Sequence, residues 1–292
     1  MPNLKNPYSG RERAVRLEPV KEKGKLGEGI EGIVDVVRVS IGDPDNELSR
    51  IFARKSFKDK ELGREGLDLF VNNWQELKKR GLPVVPTLRI EEGSEAPYVI
   101  MTDLTNDGKN EVVALNDFEP SPEEQKLMEA SGEQRMYKYP RDYILELTNI
   151  KGIEQQLSDL LKTSVEKGVL LEHDVPFLVV DKETKEGNLV LGDLRTVFFM
   201  DVKEKDEENE VITKPVSEVH PEEIEDEGDT YIEMVNLEAL SRWARFLNES
   251  LDPDNRIDLK LLDETYGSLS SDLWDRRKKI GINDPDDDGW DF

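Results

Sequence analysis

Three glycines near the start of the chain, Gly27, Gly29 and Gly32, have the G-x-G-x-x-G spacing of loops whose backbone amides approach a bound phosphate. The residues that follow, 33–41, are mostly Val and Ile, and they predict a β-strand. A dinucleotide-binding glycine turn opens a helix instead, because the helix N-terminus must meet the pyrophosphate. The pattern therefore indicates a glycine-containing loop between two antiparallel strands, which is also the pattern of an ordinary hairpin.

Three later segments carry polar residues within or after apolar strands. Residues 52–55 read Phe-Ala-Arg-Lys, and residues 97–104 read Pro-Tyr-Val-Ile-Met-Thr-Asp-Leu. Residues 189–195 read Leu-Val-Leu-Gly-Asp-Leu-Arg, so that an aspartate follows an apolar strand. A lysine side chain can bind phosphate, and an aspartate side chain can ligate Mg²⁺. An aspartate at a strand end is also common as a simple turn residue.

These segments, together with two nearer the C-terminus, resemble the eukaryotic-like protein kinase superfamily over residues 20–265, in the family's order. Pro221-Glu222 is similar to the end of the family's activation segment, and residues 252–256, Asp-Pro-Asp-Asn-Arg, are similar to its Asp-Pro-x-x-Arg motif. The resemblance implies that Glu222 and Arg256 meet in a buried ion pair. Small-molecule kinases generally lack both motifs, which favours the protein kinases within the superfamily.

The resemblance implies that ATP and Mg²⁺ bind to the chain. In that assignment the three glycines cover the phosphates, Lys55 pairs with the α- and β-phosphates, and Asp193 holds Mg²⁺. Met101 lies at the position that gates the adenine pocket, and the Thr102 carbonyl and the Leu104 amide face adenine. The residues implied to contact the nucleotide are Gly27, Gly29, Gly32, Val34, Ala53, Lys55, Met101, Thr102 and Leu104.

An amphipathic helix that ends at Gly81 is predicted between the strand that carries Lys55 and the strand-like segment at 97–104. Its apolar positions recur at helical spacing and are Leu67, Phe70, Val71, Trp74 and Leu77. The resemblance implies that a glutamate of this helix orients the lysine. Glu65 and Glu76 are the candidates, although neither lies on the apolar stripe, and Glu65 is the prediction.

Residues 169–180 align with the family's catalytic loop, with Asp174 as the catalytic aspartate after His173. The loop lacks the family's lysine, and Phe177 or a valine stands in place of the metal-binding asparagine. An alignment without gaps puts Glu172 at the catalytic position instead, so that both acids are candidates. The missing asparagine and lysine also leave open a pseudokinase, which binds nucleotide or partners without phosphoryl transfer.

The composition limits the classes of partner. The chain of 292 residues has a formal net charge of −25, which opposes binding of nucleic acid, because phosphate contacts need clustered Lys and Arg. The same charge favours basic peptide substrates or serves solubility alone. The chain has no cysteine and no apolar run of membrane-spanning length, which predicts a soluble cytoplasmic protein. The acidic runs at 201–210 and 222–227 are predicted to be solvated loops.

The sequence therefore predicts an α+β protein with a bilobal protein-kinase-like fold, in which a small antiparallel β-rich lobe with one helix precedes a larger, mainly helical lobe. The predicted function is ATP-dependent transfer of the γ-phosphoryl group to a Ser or Thr hydroxyl of a protein, with a pseudokinase or a small-molecule kinase as the alternatives. The predicted division is an N-terminal extension at 1–19, the small lobe at 20–104, the large lobe at 105–265, and a C-terminal helix and acidic tail at 266–292.

Overall fold

The chain folds into antiparallel β-sheets and α-helices. The computed structural model describes residues 3–5, 12–20, 25–28, 32–41, 48–57, 60–91, 98–120, 122–131, 137–140, 142–199, 201–205, 211–215 and 232–279. These ranges contain four sheets and five α-helices, which confirms the predicted α+β class.

The largest sheet is antiparallel and is built from the N-terminal third of the chain. Its strands are β1 (Asn3–Lys5), β2 (Glu12–Pro19), β3 (Lys25–Glu28), β4 (Gly32–Ile41), β5 (Leu48–Phe57), β6 (Thr87–Glu91) and β7 (Tyr98–Met101). The strand order is β1-β2-β4-β5-β7-β6, and β3 pairs with the first half of β4. The second half of β4 pairs with β2, so the predicted extension at 1–19 contributes strands to this sheet.

Helix α1 (Lys60–Lys79) follows β5 and packs against it. The predicted apolar stripe forms the packed face, because Leu67, Phe70 and Leu77 are all buried. The chain leaves the helix through Gly81, whose φ of 82° is a left-handed value that favours glycine, as expected at a helix C-terminus.

The remainder of the described chain combines short antiparallel pairings with four helices. The strands are β8 (Asn110–Val113), β9 (Val169–Leu171), β10 (Pro176–Asp181), β11 (Gly187–Leu191), β12 (Val197–Phe199), β13 (Asp201–Lys205) and β14 (Val211–Pro215). The helices are α2 (Pro122–Ser131), α3 (Ile150–Glu166), α4 (Ile232–Glu249) and α5 (Lys260–Lys279). Three of these strands form a sheet with the order β11-β10-β8. The other four form two separate pairs, β9 with β12 and β13 with β14.

The helices α3, α4 and α5 pack on one another and hold the strands that carry the candidate site. Trp243 of α4 is only 1% exposed, and its indole Nε1 donates a hydrogen bond of 3.0 Å to the carbonyl oxygen of Pro176, the first residue of β10. Asn236, also in α4 and buried, donates to the carbonyl of Val169 and accepts from the amide of Leu171. Both strands are thereby fixed to the helical core by buried hydrogen bonds, which are costly to break.

One sequence prediction is wrong in part. The acidic run at 201–210 is not entirely a loop, because residues 201–205 form β13, and the β-branched Val202, Val211 and Ile212 favour its pairing with β14. The other acidic run, 222–227, lies outside the described residues. Helix α5 spans Lys260–Lys279.

No helix in the described ranges has the combination of length and apolar character that crossing a membrane requires.

Candidate functional site

The candidate site is centred on an ion pair between the large sheet and the loop after β11. Lys55 of β5 and Asp193 are separated by 3.4 Å between Nζ and Oδ1. The lysine side chain is 13% exposed and the aspartate side chain 31%, so the pair is partly shielded from water. The rings of Phe57 and Phe70 lie 5.9 and 5.5 Å from the lysine nitrogen. The structure thus brings together the two charged residues that the sequence predicted for phosphates and metal.

Two strand pairings place the predicted catalytic loop beside the loop that carries Asp193. Leu171 at the end of β9 pairs with Val197 at the start of β12, and Pro176 at the start of β10 pairs with Leu191 at the end of β11. Antiparallel strand pairing therefore holds the loops at 172–175 and 192–196 side by side at both of their ends. A further hydrogen bond of 3.0 Å, from the amide of Gly192 to the carbonyl of Val175, joins the loops directly.

Asp174 faces the neighbouring loop, whereas Glu172 does not show such a contact. The hydroxyl of Thr196 donates a hydrogen bond of 3.1 Å to Asp174 Oδ1, and both residues are half-buried. Glu172 is exposed, and its Oε2 lies 3.9 Å from Nδ1 of His173. Of the two acids that the sequence left open, Asp174 is the one positioned beside the loop of Asp193.

A buried side chain of α1 braces the segment that follows Asp193. The side-chain Nδ2 of Asn73 donates hydrogen bonds to the carbonyl oxygens of Leu194 and Val197, at 2.6 and 3.1 Å. These two carbonyls flank Arg195 and Thr196, so the short 3-10 turn at 194–196 is held from the helix side. Asn73 is not among the site residues predicted from the sequence. Its signal is a polar residue among the buried positions of an amphipathic helix, three residues after Phe70 and four before Leu77.

The glutamate predicted to orient Lys55 is not located. Glu65 lies within α1, but its side chain is outside the described part of the chain. The alternative, Glu76, lies near the end of α1, and its Oε2 is 3.7 Å from the side-chain nitrogens of both Lys79 and Arg80. Among the described residues, the acid that contacts Lys55 is Asp193.

The glycines of the first motif differ in what their backbone positions require. Gly27 lies in β3 and Gly32 opens β4, while Gly29 lies outside the described residues. A Cβ atom at Gly32 would be 2.5 Å from the carbonyl oxygen of Ser56 in the adjacent strand β5. The close approach of two strands therefore explains Gly32 without a phosphate, as the ordinary-hairpin interpretation allows.

The residues predicted to hold adenine form the end of β7 and the chain directly after it. Met101 is buried and pairs with Ala53 of β5, while Val34 of β4 pairs with Lys55. The amide of Thr102 donates to the carbonyl of Pro86 at 2.8 Å, and the carbonyl of Leu104 accepts from Asn110 Nδ2 at 2.9 Å. The segment is fixed by these bonds and lies next to the strand that carries Lys55.

Magnesium has few candidate ligands in the described residues. The ring of Phe177 packs over Gly192 so closely that a Cβ atom at this glycine would overlap it, and an aromatic ring cannot ligate Mg²⁺. The described ranges contain no group of three or more His, Cys, Asp or Glu residues placed to hold a metal. Mg²⁺ commonly uses one or two carboxylates together with substrate phosphates and water, and Asp193 beside Lys55 fits that limited role.

The ion pair predicted between Glu222 and Arg256 is not supported. Glu222 lies outside the described residues, and Arg256 is exposed, which does not fit the burial that the pair requires. Arg256 instead follows a 3-10 turn, Pro253–Asn255. The side chain of Asp252 caps this turn by accepting a hydrogen bond of 2.9 Å from the backbone amide of Asp254.

No protein-family model matches the chain, and no curated protein matches it. Among solved structures the chain is similar to the Helicobacter pylori proinflammatory kinase CtkA, with 12% identity over 90% of this chain and 95% of that chain and a TM-score of 0.38. A TM-score this low does not establish a shared fold.

Proposed function

We propose that the chain is an ATP-dependent phosphotransferase with a bilobal, protein-kinase-like arrangement. In this proposal the large sheet and α1 form the small lobe, and the helices α3, α4 and α5 with the strands β8 to β12 form the larger one. The observation that carries the proposal is the contact of 3.4 Å between Lys55 of the sheet and Asp193 of the loop after β11. A nucleoside triphosphate binds through a cation that contacts its phosphates and a carboxylate that ligates its metal ion, and this contact brings both groups together.

Each charged residue has a distinct role in this proposal. Lys55 would bind the α- and β-phosphates of ATP, while Asp193 would hold Mg²⁺. When bound, Mg²⁺ supplies positive charge that neutralises the transferring phosphoryl group. Asp174 would accept a hydrogen bond from the acceptor hydroxyl and orient its oxygen, a role supported by the hydroxyl that it already binds, that of Thr196.

The acceptor that we propose is a Ser or Thr hydroxyl of a basic protein segment. The support is electrostatic, because the formal net charge of −25 attracts cationic peptides and repels nucleic acid. The small-molecule kinase is the alternative that the exposure of Arg256 favours, since the buried ion pair would have marked a protein kinase.

A pseudokinase is the second candidate, and a specific contact favours it. The ring of Phe177 packs over Gly192, and this ring cannot itself ligate a second metal ion. In this candidate function Lys55 and Asp193 bind a nucleotide, and rapid transfer does not follow. The two candidates therefore differ in turnover and agree on nucleotide binding.

Thermal shift measurements and a transfer assay test the proposal in sequence. ATP with Mg²⁺ is expected to raise the melting temperature, and Asp193→Asn is expected to remove the Mg²⁺-dependent part of that rise. Transfer from γ-labelled ATP to basic peptides is then measured, with turnover expected below the usual kinase range of about 1–100 s⁻¹ because one metal ligand is missing.

Variants of the two loop acids give the matched comparison. Asp174→Asn is expected to abolish transfer and preserve ATP binding, while Glu172→Gln, on the exposed side of the same loop, is expected to leave both unchanged. Loss of transfer only in Glu172→Gln would reverse the roles of the two acids. Nucleotide binding without any transfer by the unmodified protein would establish the pseudokinase, and no nucleotide binding would end the proposal.

A further inference from the structure

Two buried phenyl rings face the ammonium group of Lys55. Phe57 lies two residues further along β5, on the same face of the strand, and its ring centre is 5.9 Å from Lys55 Nζ. Phe70 lies in α1, and its ring centre is 5.5 Å from the same atom. We propose that Phe57 and Phe70 are positioning residues, whose ring faces hold Lys55 where the phosphates of ATP bind. This inference rests on the proposed function, because it concerns the lysine of the same site.

Both rings meet the conditions for attracting a cation. The face of an aromatic ring is electron-rich and attracts an ammonium group that lies within about 6 Å of the ring centre. Phe57 is 2% exposed and Phe70 is 0% exposed, while the side chain of Lys55 is 13% exposed. Little water therefore screens the attraction, which is stronger at such a shielded position than on an exposed surface.

Neutral rings suit this position better than a second carboxylate. A carboxylate next to Lys55 would repel the phosphates and compete for Mg²⁺, whereas a phenyl ring has no net charge and cannot ligate the metal. In the part of the chain that the structure describes, the acid in contact with Lys55 is Asp193, the proposed ligand of Mg²⁺. When the metal engages this aspartate, the two rings still hold the lysine.

Helix α1 links the ring of Phe70 to the loop of Asp193. Phe70 and Asn73 are three residues apart, which places them on one face of the helix. Asn73 Nδ2 donates to the carbonyl oxygens of Leu194 and Val197 in the segment after the aspartate. One helix face thus positions both the lysine and that segment. A lysine that is held in advance loses less conformational freedom when phosphate binds, which favours binding.

Fluorinated phenylalanine at position 70 of the full chain tests the attraction with little change in packing. Each fluorine withdraws electron density from the ring face and adds little volume, so a series with one, two and three fluorines weakens the attraction in steps. We expect the dissociation constant of ATP with Mg²⁺, measured by calorimetric titration, to rise with each fluorine. Loss of the whole attraction corresponds to about 2- to 30-fold in that constant.

Phe118 is the matched control site, because it is also buried and packs against the rings of Tyr139 and Phe246. The same fluorinated residues at position 118 are expected to leave the dissociation constant unchanged. The fluorine NMR resonance gives a second measurement, which does not depend on ATP. Lys55→Met is expected to shift the resonance of a fluorinated ring at position 70, because it removes the neighbouring charge, and to leave a resonance at position 118 in place.

The outcomes separate this inference from the function on which it rests. An affinity for ATP that stays constant or increases along the series at position 70 would overturn the inference and leave nucleotide binding intact. Equal losses of affinity along the two series would also overturn it, because the effect would not depend on the lysine. An unchanged resonance at position 70 in Lys55→Met would show that the ammonium group does not face the ring. If the unmodified chain does not bind ATP, the proposed function fails and the inference fails with it.

Discussion

Lys55 and Asp193 are separated by 138 residues in the chain, yet Lys55 Nζ lies 3.4 Å from Asp193 Oδ1. The strand β5 presents the lysine, and the loop after β11 presents the aspartate. The contact is not a simple surface ion pair, because the lysine side chain is only 13% exposed and aromatic rings lie near its nitrogen. A partly shielded cation next to a carboxylate is suited to an anionic ligand that carries a metal ion.

Replacing Lys55 by Met is expected to abolish the stabilisation by ATP. The change keeps the length of the side chain and removes the charge that would bind the phosphates. An intact site filled to about 100 times its dissociation constant gains about 2.7 kcal/mol, and the variant should lose that gain. Thermal shift with and without ATP is the measurement, and Lys162→Met, at an exposed lysine of α3, is the control. An unchanged ATP response in Lys55→Met would remove the lysine from the site.

Replacing Asn73 by Leu is expected to destabilise the fold and weaken the response to nucleotide. The carbonyls of Leu194 and Val197 would lose their shared donor, and each buried acceptor left without a partner costs about 1–3 kcal/mol. Urea unfolding measures this cost. Asn72→Leu changes the exposed neighbour on the same helix and is expected to have a small effect. Equal stability of the two variants would contradict the bracing role of Asn73.

The sequence predicted the elements that depend on local pattern. The apolar stripe of α1 and the β-branched run of β4 identify their structures because periodicity follows directly from backbone geometry. The residues that depend on tertiary approach were not predictable in the same way. Thr196 is an ordinary residue in the sequence, and only the two strand pairings around it bring its hydroxyl to Asp174. The spacing of Gly32 predicts a phosphate-binding loop, and only the structure shows that the approach of Ser56 also requires a glycine there.

Replacing Gly192 by Ala is expected to destabilise the protein through Phe177. A methyl group at this position would overlap the aromatic ring, and overpacking of this kind costs about 1–3 kcal/mol. Phe177→Ala alone should also destabilise, because it leaves space over the glycine. The double variant is expected to be more stable than the sum of the two losses predicts. Additive losses, measured by urea unfolding, would show that the ring and the glycine are not coupled.

The hydroxyl of Tyr143 is expected to make the folded state less stable at high pH. Partial burial is the main cause that raises the pKa of this phenol to about 12, and its hydrogen bond of 2.7 Å to Glu111 Oε1 adds to the effect. In the unfolded chain the phenol ionises near its ordinary pKa of about 10, whereas the folded state keeps the proton. The contribution to stability is therefore full below pH 10 and is lost as the pH rises from about 10 to about 12.

Tyr143→Phe tests this expectation, because it removes the ionising group and keeps the ring that packs against Tyr139 and Phe118. The variant should be less stable than the unmodified chain at neutral pH, where the hydrogen bond to Glu111 is lost. Its free energy of unfolding should then fall less steeply between about pH 10 and pH 12, because no phenol remains at this position to ionise in the unfolded state. Urea unfolding at a series of pH values measures both effects. Tyr266→Phe, at a half-buried tyrosine of α5, is the control. If Tyr143→Phe and the unmodified chain lose stability in parallel over this range, the proton on Tyr143 has no part in the alkaline transition.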